Sequence, residues 1–373
     1  MTQIKTARDF VGSVPAMDEP FRAQALADYL RKVHGGTVTG VRVTPLGGGR
    51  QGDKGYGYGI PLRVDYTLGG TARRAVVETV RPGPFGHEHM ADRAQSLLWA
   101  HGAFGRLPRH VASLDVGAVR SSGELVPLGS AEELFMLAEF IEGHEYADDL
   151  LSLRAGRALA PLDEARCDAL CDYLVEIHKV TGTDSGLYTR RIRETVGHGE
   201  CIFGVDDSYA QREYGAVLQT IEEKCVAWRW KLKHRSHRLR QVHGDFHPWN
   251  ILFRDGADFS VLDRSRGEWG DAADDVTCLT LNYLFFSLQR SGKLEGAFER
   301  LWRRLWERYL ERTRDAELLE VAGLFFAFRG LVMANPLWYP ALESGIRQKM
   351  LNFVRSVLQA QRFDPALANR YCG

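Results

Sequence analysis

The chain has 373 residues, of which 45% are hydrophobic and 26% are charged, a composition typical of folded globular proteins and unlike that of disordered chains. A chain of this length can bury a large core, and we expect it to form two lobes. Lysine plus arginine and aspartate plus glutamate both number 48, so the balance of charge gives no argument for a nucleic acid or membrane partner.

The cysteines and the apolar stretches also exclude classes of protein. The six cysteines show no paired spacing, which favours reduced thiols over a disulfide framework or a metal site. The first fifteen residues have no apolar core, which predicts no signal peptide, and stretches such as LNYLFFSL are too short to span a membrane. We therefore expect a cytoplasmic protein.

The N-terminal part alternates helical and strand patterns. Residues 17–36 run from a capping aspartate to a pair of glycines, which predicts a helix. Runs rich in β-branched residues, a further helix and glycine-rich turns follow, which predicts an antiparallel sheet with one helix laid on it up to residue 141. The predicted strands lie at 38–46, 58–68, 74–80, 109–119 and 134–143, and the helix lies within 86–104.

After Gly143 the pattern becomes mostly helical. Residues 162–180 are amphipathic, residues 208–241 form a long helical stretch, and nearly everything after Asp274 has a helical pattern. The predicted fold class is α+β, with a small N-terminal sheet lobe at 1–141 and a larger helical lobe at 142–373.

One turn in the second lobe concentrates polar side chains. QVHGDFHPWNILF, residues 241–253, places His243, Asp245, His247 and Asn250 between two apolar runs. The next short strand ends on Asp263, and a hairpin would bring that residue beside Asn250. Because turns favour Asp and Asn, an ordinary polar turn is one interpretation. Phosphoryl transfer is another, since it needs a group that faces an acceptor hydroxyl and oxygen ligands for Mg²⁺.

The block HGDFHPWN, followed by VLD and GDAADDV, resembles the aminoglycoside phosphotransferase and choline kinase-like family, which is distantly related to protein kinases. The interval from Asp245 to Asn250 equals that of the protein-kinase catalytic loop. Only residues 241–276 match the family specifically. The resemblance implies a bilobal protein-kinase-like fold, with a nucleotide-binding lobe at 1–141 and the catalytic loop and acceptor site at 142–373.

The resemblance also implies roles for single residues. Asp245 is the expected catalytic aspartate, and Asn250 and Asp263 are the expected Mg²⁺ ligands. The expected support of the catalytic loop comes from His243, His247 and Asp275. The expected cofactors are ATP (or GTP) and Mg²⁺, and the expected partner is a small molecule with a hydroxyl group.

The chain departs from related kinases on the third strand, where they hold the nucleotide phosphates with a lysine. The matching position is about Glu78, and a carboxylate there would repel phosphate. Arg74, Arg81 and Lys54 are the candidate replacements, and the alignment could be shifted by a residue or two. The glycine-rich turn before the second strand could bind phosphates through its N–H groups, and the segment 134–143 could meet adenine or be a buried strand. The nucleotide-binding residues predicted on this basis are Gly48, Gly49, Arg74, Glu139 and Ile141.

Acidic residues crowd the segments 142–149 and 198–209. A pocket lined with acidic residues would suit an amine-bearing acceptor, which predicts Glu142, Glu145 and Asp206 as acceptor-binding residues. The alternative is that these acidic runs are solvated surface faces, which is the more common case. Arg329 lies inside an otherwise apolar helix, where a buried arginine needs a partner. We expect an ion pair with an internal carboxylate, and a role in the acceptor site is the alternative.

The leading prediction is an ATP- and Mg²⁺-dependent phosphotransferase that acts on a small-molecule hydroxyl. The missing strand lysine suits a second function, that of a non-catalytic, pseudokinase-like nucleotide-binding protein. A third is a metal-dependent hydrolase that uses His243, Asp245, His247 and Asp263. That function would leave Asn250 and the downstream aspartates without a role.

Overall fold

The structure is a computed structural model that describes residues 20–46, 59, 61–83, 85–106 and 108–373. Contacts between Cα atoms divide the chain into two compact units, Met1–Ala138 and Glu139–Gly373. The predicted fold class is confirmed, because a small antiparallel sheet occupies the first unit and most of the second unit is helical. In the described residues, no helix combines the length and the apolar character that a membrane crossing requires.

The first unit contains a three-stranded antiparallel sheet in the order β1-β2-β3 and a separate hairpin of β4 and β5. Gly69 and Gly70 connect β2 to β3 with φ of 53° and 84°, a region that glycine adopts at little cost. The side chains of α1 pack with the sheet in a small apolar core. The elements are α1 (Ala23–His34), β1 (Val38–Pro45), β2 (Leu62–Leu68), β3 (Thr71–Val77), α2 (Met90–Phe104), β4 (Gly117–Val119) and β5 (Leu125–Pro127).

The predicted strand at 134–143 is wrong. These residues have no regular secondary structure, and the side chains of Phe135, Leu137 and Phe140 are 85–92% exposed. The prediction relied on apolar residues with high strand propensity. That propensity reflects how side chains fit a pleated, half-buried surface and does not itself supply a strand to pair with.

The second unit is built around two helices that are buried on nearly all sides. The helix α8 is buried from Ala272 to Leu288, and α10 is buried along nearly its whole length. A helix without a polar face belongs in the interior, and α9 and α11 cover these two. The helices are α3 (Tyr146–Arg154), α4 (Pro161–Ile177), α5 (Ser185–Gly197), α6 (Ile202–Asp207), α7 (Gln211–Leu232), α8 (Ala272–Ser291), α9 (Gly296–Thr313), α10 (Leu318–Ala334), α11 (Ser344–Gln359) and α12 (Ala368–Cys372).

Two small antiparallel sheets hold the polar turn, and all of their strands except β6 lie between α7 and α8 in sequence. One pairs β7 with β10, and the other has the order β6-β8-β9. The turn at 242–250 therefore leaves one sheet and enters the other. The strands are β6 (His144–Glu145), β7 (Leu239–Gln241), β8 (Ile251–Phe253), β9 (Phe259–Val261) and β10 (Trp269–Asp271).

Candidate active site

The main chain of the polar turn is held by the first turn of α8. Asp275 accepts two backbone hydrogen bonds, from the N–H of His243 (2.8 Å) and from the N–H of Gly244 (2.7 Å). Gly244 has a φ of 85°, which places it in the left-handed region that favours glycine. Asp275 is fully buried. Burial raises the pKa of its carboxyl, but the bond from His178 and these backbone donors outweigh burial and hold the pKa below its ordinary value.

Asn250 closes the other end of the turn. A short 3₁₀ turn at Pro248–Asn250 leads into β8, and the side-chain amide of Asn250 donates a hydrogen bond to the backbone carbonyl of Asp245 (3.1 Å). This bond uses the amide nitrogen of Asn250 and leaves its oxygen out of the contact. A hydrogen bond from the Asn250 side chain to the main chain of Asp245 thus connects these two residues of the turn.

The hairpin of β8 and β9 brings Asp263 back toward Asn250. Ile251 pairs with Val261, and the N–H of Leu262 donates to the carbonyl of Asn250 (2.8 Å). Asp263 follows with a φ of 52°, a conformation that Asp tolerates better than most residues. Its side chain is exposed, and one carboxylate oxygen accepts the N–H of Ser265 (3.1 Å). The hairpin predicted from the sequence is present.

Asp245 is buried and surrounded by positive charge. Its Oδ1 accepts a hydrogen bond from Arg329, and its Oδ2 lies 3.5 Å from Nε of Arg266 and 3.9 Å from Nε2 of His247. Burial raises the pKa of Asp245, but Arg329, Arg266 and His247 outweigh burial and hold the pKa below its ordinary value. Asp245 is therefore a carboxylate at neutral pH and can accept a hydrogen bond from a hydroxyl group.

The two histidines of the turn have different surroundings. Nδ1 of His243 accepts the N–H of Asp245 (3.3 Å), and the His243 side chain is almost fully buried. His247 faces Oδ2 of Asp245 at the edge of the site. Burial is the largest cause that lowers the pKa of His247, with Arg329 and His243 acting in the same direction against Asp245. His247 is therefore a neutral imidazole at pH 7.

Sequence reasoning missed several residues that contact Asp245 or its neighbours. Arg329 was identified as needing an internal carboxylate, but nothing in the sequence indicated that Asp245 would be that carboxylate, because 84 residues separate them. Asp274 and Arg191 form a further buried pair at 2.6 Å. Arg266 had no sequence signal other than its position three residues after Asp263.

Asn250 and Asp263 fit a magnesium ion. Both supply oxygen, the atom that Mg²⁺ prefers, and the hydrogen bonds of the Asn250 amide leave its oxygen for a cation. In the described part of the chain, no three His, Cys, Asp or Glu side chains form a group that could hold a metal ion. At phosphoryl-transfer sites in general, Mg²⁺ takes many of its ligands from phosphate oxygens and water.

The predicted nucleotide-binding residues have varied positions. Gly48 and Gly49, like Lys54, lie outside the described residues. Arg74 lies on β3, is 81% exposed and pairs with Asp65 at 3.3 Å, so its contact is a surface ion pair. The alternative of a buried strand at Glu139 and Ile141 is wrong, because these residues lie in the irregular segment.

The predicted acceptor residues lie in separate elements. Glu142 is exposed before β6, and Glu145 precedes α3. Asp206 lies near the end of α6 and is buried. Burial raises the pKa of Asp206 to about 6, and the charge and hydrogen bond of Glu222 add to the shift. In the described structure, Asp206 has an acidic neighbour in Glu222 and no hydrogen bond or ion pair with the other two.

Comparison with solved structures gives weak likenesses over most of the chain. An aminoglycoside phosphotransferase with bound ADP is 12% identical, with 90% of this chain and 97% of that chain covered and a TM-score of 0.32. A choline kinase from Cryptosporidium parvum is 13% identical (89% and 86% covered, TM-score 0.32), and an ethanolamine kinase from Plasmodium vivax is 12% identical (89% and 80% covered, TM-score 0.32). TM-scores this low do not establish a shared fold.

Comparison with sequences is more decisive. No curated protein matches the chain. The model of the phosphotransferase enzyme family (APH) matches residues 63–312, a stretch that contains the whole polar turn, the hairpin that ends at Asp263 and the start of α8. Because the match spans more than half of the 373 residues, the chain belongs to the phosphotransferase enzyme family, as the resemblance of its catalytic block implies.

Proposed function

We propose that the protein transfers the terminal phosphoryl group of ATP or GTP to a hydroxyl group of a small molecule. The observation that carries the proposal is the arrangement of Asp245, an ionised carboxylate whose main chain is bonded to Asn250, next to the hairpin that presents Asp263. Family membership supports the reaction class. The residues that we assign to the chemistry are Asp245, Asn250 and Asp263.

In the proposed reaction, Oδ2 of Asp245 accepts the hydrogen bond of the acceptor hydroxyl and aims its oxygen at the terminal phosphorus. The new O–P bond forms as the bond from phosphorus to the leaving nucleoside diphosphate breaks. The hydroxyl proton passes to Asp245 late in the transfer and from there to solvent. Because Asp245 is a weak base, its main contribution is orientation, which suits a reaction that depends on positioning.

Asn250 and Asp263 are the residues that we expect to hold Mg²⁺. When bound, the ion would neutralise charge on the phosphate oxygens. Binding of such an ion would account for the presence of an amide and a carboxylate at the same end of one hairpin. For the acceptor, Glu142, Glu145 and Asp206 remain candidates for binding an amine, and the aminoglycoside, choline and ethanolamine named for the similar structures are the first compounds to assay.

The test replaces the carboxylate of Asp245 without changing its size. We expect Asp245→Asn to lower the turnover number for transfer from ATP or GTP by about 10²–10⁴-fold, because an amide cannot accept the hydroxyl proton. The measurement is release of nucleoside diphosphate with Mg²⁺ across a panel of aminoglycosides, choline and ethanolamine. The matched control is Asp258→Asn, an exposed aspartate in the turn of the same hairpin, which should keep full turnover. Equal turnover in wild type and Asp245→Asn would remove the assignment.

A non-catalytic nucleotide-binding protein is the second candidate, and the contact of Arg74 favours it. Arg74 was a candidate replacement for the strand lysine, yet it pairs with Asp65 on the surface of the sheet. In this candidate the nucleotide binds and no phosphoryl group is transferred. The hydrolase alternative gains no support, because Oδ1 of Asp245 is bonded to Arg329 and the described residues contain no group of three His, Cys, Asp or Glu side chains that could hold a metal ion.

A further inference from the structure

We propose that Arg329 is a positioning residue, which fixes the orientation of the Asp245 carboxylate so that Oδ2 faces the acceptor hydroxyl. The inference rests on the proposed function of Asp245. It assigns a part in the reaction to a residue 84 positions away in sequence, on the central helix α10.

Arg329 binds the side chain and the main chain of the catalytic turn together. Its Nη1 donates to Oδ1 of Asp245, and its Nη2 donates to the carbonyl of Gly244 (2.7 Å) and to Oδ1 of Asp274 (3.1 Å). Its side chain is 7% exposed. A guanidinium group carries its donors in a rigid planar fork, so these contacts set both the position of the turn and the rotation of the carboxylate.

Arg329 is itself held in place by two neighbouring side chains, those of Phe328 and Asp274. Its guanidinium stacks on the ring of Phe328 at 4.5 Å, and Asp274 uses its second oxygen to accept a bond from Arg191 at 2.6 Å. Arg191 also donates to the carbonyl of Arg266 (2.6 Å), in the loop that follows Asp263. The two arginines and Asp274 therefore connect the turn of Asp245 with the loop after Asp263.

The consequence concerns the two oxygens of Asp245. Because Oδ1 is bonded to Arg329, Oδ2 is the atom left for a hydroxyl group, and rotation that exchanges the oxygens would break that bond. A carboxylate that rotates would still be charged, but it would spend less time aimed at the acceptor. Loss of Arg329 should therefore reduce the rate of transfer and leave substrate binding nearly unchanged, since the lost contact matters only as the reaction proceeds.

A purely structural arginine would behave differently. Removing any buried arginine that pairs with buried carboxylates destabilises a protein, so stability alone does not separate the two roles. Arg347 provides the comparison. It is equally buried, it lies on α11, and its guanidinium donates to the backbone carbonyls of Ala334, Tyr339 and Leu342 without contacting the catalytic turn.

The experiment compares Arg329→Met, Arg329→Lys and Arg347→Met with wild type and Asp245→Asn. The kcat and KM values for ATP with Mg²⁺ are measured on the hydroxyl compound that is turned over fastest, or on water as the acceptor when none is. We expect Arg329→Met to lower kcat about 10²-fold, the loss that a small misplacement of a reacting group causes, with KM changed less than about threefold. Arg329→Lys should recover part of that loss, and Arg347→Met should keep kcat.

Rescue of an Arg329 variant by added guanidinium distinguishes a folding defect from misplacement of the Asp245 carboxylate. In Arg329→Ala, millimolar guanidinium should restore part of kcat, because the small cation can occupy the space left by the side chain, and it should not restore Asp245→Asn. Two outcomes would overturn the inference and leave the proposed function standing. One is a kcat for Arg329→Met equal to that of Arg347→Met. The other is that neither Arg329→Lys nor added guanidinium restores any kcat. Full turnover in Asp245→Asn would overturn both. Melting temperature is measured for every variant, and if Arg329→Met does not fold, the Lys variant and the rescue decide.

Discussion

At the scale of single residues, the second unit contains two buried aspartates with opposite electrostatic surroundings. Asp245 faces arginines and stays ionised, whereas Asp206 faces Glu222 and carries a raised pKa of about 6. Both side chains are buried, so the difference comes from their neighbours and not from burial. The same residue type therefore stays ionised at mildly acidic pH at one position and takes up a proton near pH 6 at the other.

The raised pKa of Asp206 predicts a pH-dependent stability. A carboxyl whose pKa is raised by folding stabilises the fold fully below its ordinary pKa near 3.8, and that stabilisation is lost as the pH rises through about 6. At pH 8, Asp206 and Glu222 repel one another. We therefore expect Asp206→Asn to be more stable than wild type at pH 8 by about 1–2 kcal/mol, and the difference to shrink toward pH 4.

The measurement is chemical unfolding of both proteins at several pH values between 4 and 8. Asp207→Asn is the control, since it removes the same charge from an exposed neighbour that adds only a small part of the shift, and it should give a smaller gain. A difference between Asp206→Asn and wild type that is constant from pH 4 to pH 8 would contradict the predicted repulsion.

At the scale of elements, one buried ion pair joins the small sheet to α8. Arg238, just before β7, donates two hydrogen bonds of 2.8 Å to Asp271, which ends β10 and caps α8 through the N–H of Ala273 (3.0 Å). Asp271 is fully buried. Because α8 also carries Asp275, this pair fixes the position of the helix that holds the polar turn.

Breaking the pair should destabilise the whole second unit. Arg238→Met leaves Asp271 buried without its cation, which we expect to lower the free energy of unfolding by about 3–5 kcal/mol. The control is Arg304→Met, which removes a half-exposed bidentate pair with Asp168 between α4 and α9 and should cost about 0–1 kcal/mol. Urea unfolding measures both. Similar losses in the two variants would show that burial of the Asp271 pair has no special importance.

At the scale of the whole molecule, the family assignment predicts that the native protein binds a nucleotide with Mg²⁺. A ligand that binds only the folded state increases the free energy of unfolding and so raises the melting temperature. The increase is about 2.7 kcal/mol when the ligand concentration is a hundred times its dissociation constant. We expect millimolar ATP or GTP with Mg²⁺ to raise the melting temperature, and Asp245→Asn to keep that shift because Asp245 does not hold the metal in the proposal.

The change in melting temperature, measured together with product formation, also distinguishes the two proposed functions. A raised melting temperature together with phosphorylated product supports the phosphotransferase, and a raised melting temperature without product on any acceptor supports the non-catalytic alternative. No shift with either nucleotide contradicts both. Denatured protein and magnesium alone are the controls, since each would reveal binding that does not depend on the folded nucleotide site.

The parts of the fold that were predictable from the sequence are those with local signals. Helical periodicity marked the second unit, the glycines at 69 and 70 marked a hairpin, and the spacing of Asp245, Asn250 and Asp263 indicated a hairpin site. The strand at 134–143 was wrong because propensity does not specify a partner strand. The contacts of Arg329 with Asp245 and Asp274 span 84 and 55 residues, and no short-range pattern encodes pairs so distant.

Because Asp275 binds the main chain of the polar turn, positions 243 and 244 differ in the substitutions that they can accept. The Asp275 carboxylate binds backbone N–H groups, which every residue except proline supplies, so this contact does not require a particular side chain at position 243. The bond from the N–H of Asp245, in contrast, requires the imidazole of His243. Gly244 is constrained by its left-handed φ, so a substitution there would strain the backbone of the turn itself. A change of side chain at position 243 would therefore alter the surroundings of Asp245 while Asp275 still binds the main chain of the turn.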